Sequence, residues 1–137
     1  MKEPQAPEIP VNDQKTILVV DDDPRILRYV SRLLRDGGHD VLVAVDGASA
    51  MELSRLRQDE IHLLLTDFEM PRMSGIELAT KISIDRPAIK VLMMSGFAGG
   101  TLVLNEGWHF LPKPFVASQL RAIVTTLLLP HISRFQP

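Results

Sequence analysis

The sequence predicts an α/β fold, a doubly wound five-stranded parallel sheet in the order 2-1-3-4-5 with helices on both faces, making three layers. Three observations carry this. From Thr16 onwards, short apolar runs alternate with stretches of helical spacing. The runs lack the polar alternation of half-exposed strands, so they suit strands buried on both faces. Right-handed crossovers then leave few layouts for five such strands, and 2-1-3-4-5 is one of them.

The first strand, Thr16–Val20, ends in Asp21, Asp22 and Asp23. Pro24 follows, suited to the first turn of a helix because its missing N–H would have no partner there. Ile26, Leu27, Val30, Leu33 and Leu34 recur at helical spacing until Gly37 and Gly38 stop the helix. Val41–Val45 is the second strand, and Ala48, Met51, Leu53 and Leu56 mark the second helix. Ile61–Thr66 is the third strand and runs into Asp67. The loop FEMPRMSG leads to a helix carrying Ile76, Leu78, Ala79 and Ile82. Ile89–Met94 is the fourth strand, ending at Ser95. The stretch Gly96–Glu106 is weakly patterned: Gly99 and Gly100 raise its ordering cost, and Thr101, Val103 and Asn105 are mediocre helix formers. A short, irregular or mobile helix is expected there. Trp108–Leu111 is the fifth strand, Pro112-Lys113-Pro114 breaks it, and Val116–Leu129 is the last helix, ended by Pro130.

Residues 1–14 hold Pro4, Pro7 and Pro10 among polar residues and are expected to form a disordered tail or linker. The domain proper is expected over 15–130, with a C-terminal tail at 131–137. The formal charge is −2 and no Lys/Arg block stands out, which argues against direct nucleic-acid binding. No apolar run is long enough to span a membrane, and the N-terminus lacks the apolar core of a secretory signal, so a cytoplasmic protein with no membrane partner is the default. Cysteine is absent, which excludes disulfides and thiolate metal sites. The histidines, His39, His62, His109 and His131, show no ligand spacing and are read as structural or exposed.

In an open parallel sheet, sites form at the carboxyl ends of the strands near the switch in strand order. Strand 1 ends in Asp21, Asp22 and Asp23, strand 3 in Asp67, strand 4 in Ser95, and strand 5 runs into Lys113. These strands are neighbours in the order above, so their polar ends converge. Carboxylates held together repel one another and call for a cation. With oxygen ligands only, that cation is hard, Mg²⁺ before Ca²⁺. A carboxylate beside Mg²⁺ can attack phosphorus to give an aspartyl phosphate. Mg²⁺, a lysine ammonium and a serine hydroxyl can together serve the charged oxygens of the transferred group. Asp23, next to Pro24, is read instead as a helix cap, and Asp46, after edge strand 2 and before Gly47, as turn chemistry. Gly75 is read as a backbone-geometry glycine, while Gly96 either keeps space for the phosphoryl group or simply makes a turn.

The strings ILVVDDDP, LLLTDFEMPRMSGIEL, VLMMSG and FLPKPF resemble the four signature segments of response-regulator receiver domains, in the expected order over residues 17–115. The resemblance implies the flavodoxin-like version of the fold and Asp67 as phosphoacceptor. It implies that Asp22 and Asp67 bind Mg²⁺ directly with the Glu69 main-chain carbonyl, and Asp21 mainly through water. Ser95 and Lys113 match the family's hydroxyl and lysine positions, Phe110 its aromatic switch position, and the Lys113–Pro114 bond is expected in cis. The stretch between Ser95 and Phe110 is shorter than in the commonest receivers, and similar short versions look like receivers attached to hybrid sensor histidine kinases. Glu69 would lie over the phosphoryl group and affect the lifetime of the modified state.

The leading function is thus a phosphorylation switch rather than an enzyme, with a sensor histidine kinase or phosphotransfer protein as donor and an unknown output protein as reader. A weak homodimer is a further expected assembly, and no output domain is expected within these residues. The alternatives are a small haloacid-dehalogenase-like phosphatase using Asp21 and Asp23, a flavin-binding protein of the same fold, and a degenerate receiver used as a scaffold. The phosphatase lacks its Gly-Thr and a cap domain; the flavin protein lacks a phosphate loop, where three aspartates would repel phosphate.

Overall fold

The computed structural model describes residues 14–96 and 107–129. The tail 1–14, apart from Gln14, the stretch from Phe97 to Glu106 and the tail 131–137 lie outside the described residues, and with them the expectations made for these segments. Five strands, β1 (Thr16–Val20), β2 (Asp40–Ala44), β3 (Leu63–Asp67), β4 (Lys90–Ser95) and β5 (Trp108–Pro112), form one parallel sheet in the order β2-β1-β3-β4-β5. The described helices are α1 (Pro24–Asp36), α2 (Gly47–Leu56), α3 (Gly75–Asp85) and α4 (Ala117–Leu128).

Every residue of β1 and β3 is buried, and side-chain alternation distributes them between two cores. Ile17, Val19, Leu63, Leu65, Leu92 and Met94 pack under α1 and α4 with Leu27, Val30, Leu34, Leu120, Val124 and Leu127. Leu18, Val20, Leu64, Val91 and Met93 face the other way, onto Ala50 and Met51 of α2 and Leu78, Ala79 and Ile82 of α3. Continuous apolar runs are therefore required, because each parity has its own helix layer to meet. Each fully buried aliphatic side chain contributes about 1.5–3 kcal/mol.

The helix ends follow from the orphan N–H groups that every helix start leaves. Asp23 caps α1, accepting from the Arg25 N–H at 2.9 Å, and Ser74 caps α3. Asp46 corrects the expectation of a simple turn residue: it is the N-cap of α2, accepting from the Ser49 N–H at 2.8 Å. The Gln119 side chain accepts from the Val116 N–H at the start of α4. α1 ends with the Gly38 and His39 N–H groups donating back to Arg35 and Leu34, and Gly38 takes the left-handed turn at φ 93°.

Several strand boundaries differ from expectation by one or two residues: β2 and β4 are each shifted by one, β3 starts two later and ends one later, and β5 ends one later. β2 begins at Asp40, whose N–H donates to the Lys15 carbonyl. β3 begins at Leu63, opposite Ile17, rather than at Ile61. Ile61 is buried all the same, which is why apolarity alone placed the strand start too early. His62 is structural as expected, its Nδ1 accepting from the Thr16 N–H at 3.0 Å.

His39 is half-buried, and its Nδ1 has no hydrogen-bond partner. Burial holds its pKa below the ordinary 6.5, so below about that pH the unfolded chain binds a proton that the native state resists. We therefore expect the His39 contribution to stability to be fully present above pH 6.5 and to be lost as pH falls below it. Urea titrations of wild type and His39→Gln across pH 5–8 measure this; the difference between the two should change with pH below the ordinary value and be flat above it.

Candidate functional site

β1, β3, β4 and β5 deliver their last residues to one rim of the sheet. Asp21 follows β1 and is 1% exposed, Asp67 closes β3 at 8%, and Ser95 closes β4 at 2%. Lys113 follows Pro112, which pairs with Ser95 across β4 and β5. Its position is fixed from behind by its own N–H, which donates to the Ser95 carbonyl at 2.6 Å. The Lys113–Pro114 peptide is cis, as the resemblance implied.

The Lys113 Nζ donates to Asp21 Oδ2 and to Asp67 Oδ1, each at 3.1 Å. The other oxygen, Asp21 Oδ1, accepts from the Asp23 N–H at 2.9 Å. Both Asp21 oxygens are thereby engaged. Asp22 is exposed and makes no hydrogen bond or ion pair among the described residues. One carboxylate oxygen each from Asp21, Asp22 and Asp67 lie within 4.8 Å of one another.

Three carboxylates against one ammonium leave excess negative charge on a largely dry rim. The Asp67 carboxyl is accordingly held above the usual carboxylate range, by burial first and then by repulsion from Asp21, with Lys113 pulling the other way and Asp22 adding to the repulsion. Burial alone would lower the Lys113 ammonium, but attraction from Asp21 and Asp67 outweighs it and the pKa is raised. The donor set is oxygen only, clustered at chelating separation and short of positive charge, which fits a hard divalent cation.

Local structure supports Asp67 from several sides. The Thr66 hydroxyl donates to the Asp67 carbonyl at 3.0 Å, and the Phe68 N–H donates to Met94 on β4 at 2.7 Å. Gly75 packs against the Asp67 backbone so closely that a Cβ there would lie 2.2 Å from the Asp67 carbonyl oxygen. Its glycine signal was visible in the sequence as backbone geometry; the reason is this close approach, since Gly75 is not among the residues with positive φ. The loop between β3 and α3 instead takes positive φ at Arg72, 69°. Glu69 on this loop is exposed, and Phe110 on β5 is half-buried against the α2–α3 core. Trp108 packs against the same core. A Cβ at Gly96 would meet no atom within 4 Å. Beside Lys113, a cavity of about 480 Å³ is lined by Ile26, Tyr29, Gly96, Lys113, Pro114 and Phe115.

Residues 17–125 match the response regulator receiver domain family. The chain belongs to that family. It is 40% identical over 88 residues to the response regulator receiver protein CpdR of Brucella abortus, covering 64% of this chain and 72% of that protein. It is 35% identical over 112 residues to a chemotaxis protein CheY homolog of Campylobacter jejuni, covering 77% and 85%. The sensor kinase CckA of Brucella abortus matches 82% of this chain at 31% identity, but the matched part is only 12% of the kinase. Among solved structures, the receiver domain of the hybrid histidine kinase CckA superimposes with a TM-score of 0.75 at 32% identity, covering 83% of this chain and 99% of that one. A CheY-like receiver from Methanospirillum hungatei superimposes with a TM-score of 0.75 at 29% identity, covering 84% and 94%.

The receiver domain is thus a module of two-component signalling; such domains act as signalling switches, interact with histidine kinases or phosphotransfer proteins and generally bind Mg²⁺ at an acidic pocket. The phosphatase alternative is not favoured: Asp23, its second acid, is occupied as a helix cap and paired with Arg25. No helix among the described residues is long and apolar enough to cross a membrane.

A raised folded-state pKa means that an ionised Asp67 costs stability above that pKa, and that stability is gained as pH falls through it. With divalent ions chelated, Asp67→Asn should therefore raise the urea midpoint at pH 7, and the gain should shrink towards acid pH. An unchanged or lowered midpoint at pH 7 would contradict this electrostatic account.

Proposed function

We propose that Asp67 is the phosphoacceptor of this receiver and takes its phosphoryl group from a phosphohistidine on a sensor histidine kinase or phosphotransfer protein. The observation that carries the reading is the Lys113 ammonium held at 3.1 Å from both Asp21 and Asp67 on the rim where Ser95 also ends its strand. Asp67 Oδ attacks phosphorus, the P–N bond breaks as the P–O bond forms, and the imidazole nitrogen keeps the electron pair and takes up a proton. Lys113 balances charge on one phosphoryl oxygen, and the Ser95 hydroxyl donates to another.

Asp22 and Asp67 would hold Mg²⁺ directly with the Glu69 main-chain carbonyl. Asp21 would act through water, since both of its oxygens already accept hydrogen bonds. When bound, the ion neutralises charge on the phosphoryl group and relieves repulsion among the three carboxylates. Gly96 keeps the approach open, as no atom of the described residues lies within 4 Å of where a Cβ would stand. The half-buried ring of Phe110 is the switch partner of Ser95: movement of the serine towards the phosphoryl group gives the ring room to turn inward, and an output protein reads the altered surface. The apolar cavity beside Lys113, with Ile26, Tyr29 and Phe115, suits contact with the phosphodonor protein. The CckA likeness favours a receiver of the kind carried by hybrid histidine kinases.

Incubation with acetyl phosphate and Mg²⁺, followed by borohydride trapping and mass spectrometry, should locate the label on Asp67 alone, with none in EDTA and none in Asp67→Asn. A label on Asp21 would overturn the assignment. The Glu69 side chain, exposed on the loop that follows Asp67, should influence the water that attacks the phosphoryl group. Glu69→Ala is expected to change the autodephosphorylation rate severalfold, as followed by loss of radiolabelled phosphate; an unaltered rate would remove the Glu69 side chain from the site.

A further inference from the structure

We propose that the groove between α1 and the edge strand β2 is a docking site for an extended acidic segment of a partner protein. It is separate from the phosphorylation rim. A cavity of about 420 Å³ is lined there by Pro24, Leu27, Ser31, Val43 and three arginines, Arg28, Arg32 and Arg35. These arginines differ from four others on the molecule. Arg25, Arg55, Arg57 and Arg72 each have a carboxylate within 4.0 Å, whereas Arg28, Arg32 and Arg35 pair with no acidic group among the described residues. Between them sits Ser31, only 4% exposed, whose hydroxyl is buried with no hydrogen-bond partner among the described residues. A buried hydroxyl without a partner carries a desolvation cost that a ligand acceptor would remove.

The other wall explains why the ligand should be an extended chain. β2 lies at the edge of the sheet. The Asp40 N–H and the Ala44 carbonyl bond towards the neighbouring chain, so by alternation the backbone groups of Val41 and Val43 point outward. Arg35 already donates to the Val41 carbonyl at 3.3 Å. Among the described residues nothing bonds the outward backbone groups of Val43, and its side chain is 42% exposed on the groove. Along α1, Arg28 and Arg32 are one turn apart, about 6 Å. Alternate side chains of an extended segment recur at about 6.6 Å on the same side. Two acidic residues flanking one apolar residue therefore match two guanidinium groups, with backbone pairing at Val43 and a bidentate preference for carboxylates at each arginine.

The test uses the full chain, labelled with ¹⁵N, and a capped peptide Leu-Asp-Val-Glu-Leu, with Leu-Asn-Val-Gln-Leu as its uncharged counterpart. Amide shifts should be confined to residues 27–35 and 41–45 and absent with the uncharged peptide. The double substitution Arg28→Glu/Arg32→Glu should weaken binding by about tenfold or more. Ser31→Ala, whose spectrum should otherwise match wild type, should weaken it severalfold. Lack of shifts at millimolar peptide, equal binding by the uncharged peptide, or shifts centred on Asp21 and Asp67 would overturn the proposal. So would shifts in residues 1–13 caused by the double substitution without peptide, because the occupant would then be this chain's own Glu3, Glu8 and Asp13.

Discussion

The bridge from Lys113 to Asp21 and Asp67 is the constraint on which the rest of the rim depends. It joins the end of β1, the end of β3 and the residue after β5, across strands that are not all adjacent. Removing the ammonium, the one cation of the cluster, would leave its carboxylates buried without compensation, a loss that typically costs about 3–5 kcal/mol, whereas removing one of the excess carboxylates relieves repulsion. The cluster is still electrically incomplete, as the raised Asp67 carboxyl indicates. A fold optimised only for stability would place an apolar residue at position 67. This one keeps a buried acid under repulsion, the pattern expected where charge is held ready for a reaction.

The two-sided core is what makes the rim precise. Because β1 and β3 are buried on both faces, each strand is held in register by α1 and α4 on one side and by α2 and α3 on the other. A one-residue slip would exchange the two faces of a strand and move Asp21 or Asp67 off the rim at the same time. Gly75 adds a local constraint, since α3 starts against the Asp67 carbonyl with no room for a side chain. Overpacking at that point would be taken up by backbone rather than by a flexible side chain.

Most of this was legible in the sequence, for identifiable reasons. The apolar runs and the residues that end them state both the strands and the rim, because the side-chain period and the strand order are fixed by geometry. Asp21, Asp67, Ser95 and Lys113 meet where strand order alone would bring their elements. What the sequence did not disclose depends on contacts between distant segments. Asp46 looked like a turn residue because nothing local distinguishes a turn aspartate from a cap; the Ser49 N–H decides it. Arg86 gave no signal, yet its guanidinium bonds Ser54, Arg57 and Asp59 and ties the end of α3 to the end of α2. The start of β3 was misplaced because burial of Ile61 precedes strand pairing. Position 23 is different, since an aspartate before a proline at a helix start has one dominant use, and Asp23 caps α1.

α1 shows how one helix can serve two surfaces. Its buried stripe, Leu27, Val30 and Leu34, fixes its rotation against the sheet. With that rotation set, Ile26 and Tyr29 are turned towards Lys113, and Arg28, Arg32 and Arg35 towards β2. The helix therefore has little freedom to move on one side without displacing the other. Rotation that opened the cavity beside Lys113 would carry Arg35 away from the Val41 carbonyl and alter the groove at the sheet edge. A ligand that fixes the arginine face would bias the position of Ile26 and Tyr29, and by reciprocity a change at the rim would be felt in the groove. Coupling of this kind needs no chain of intermediates, because both surfaces are borne by the same rigid element.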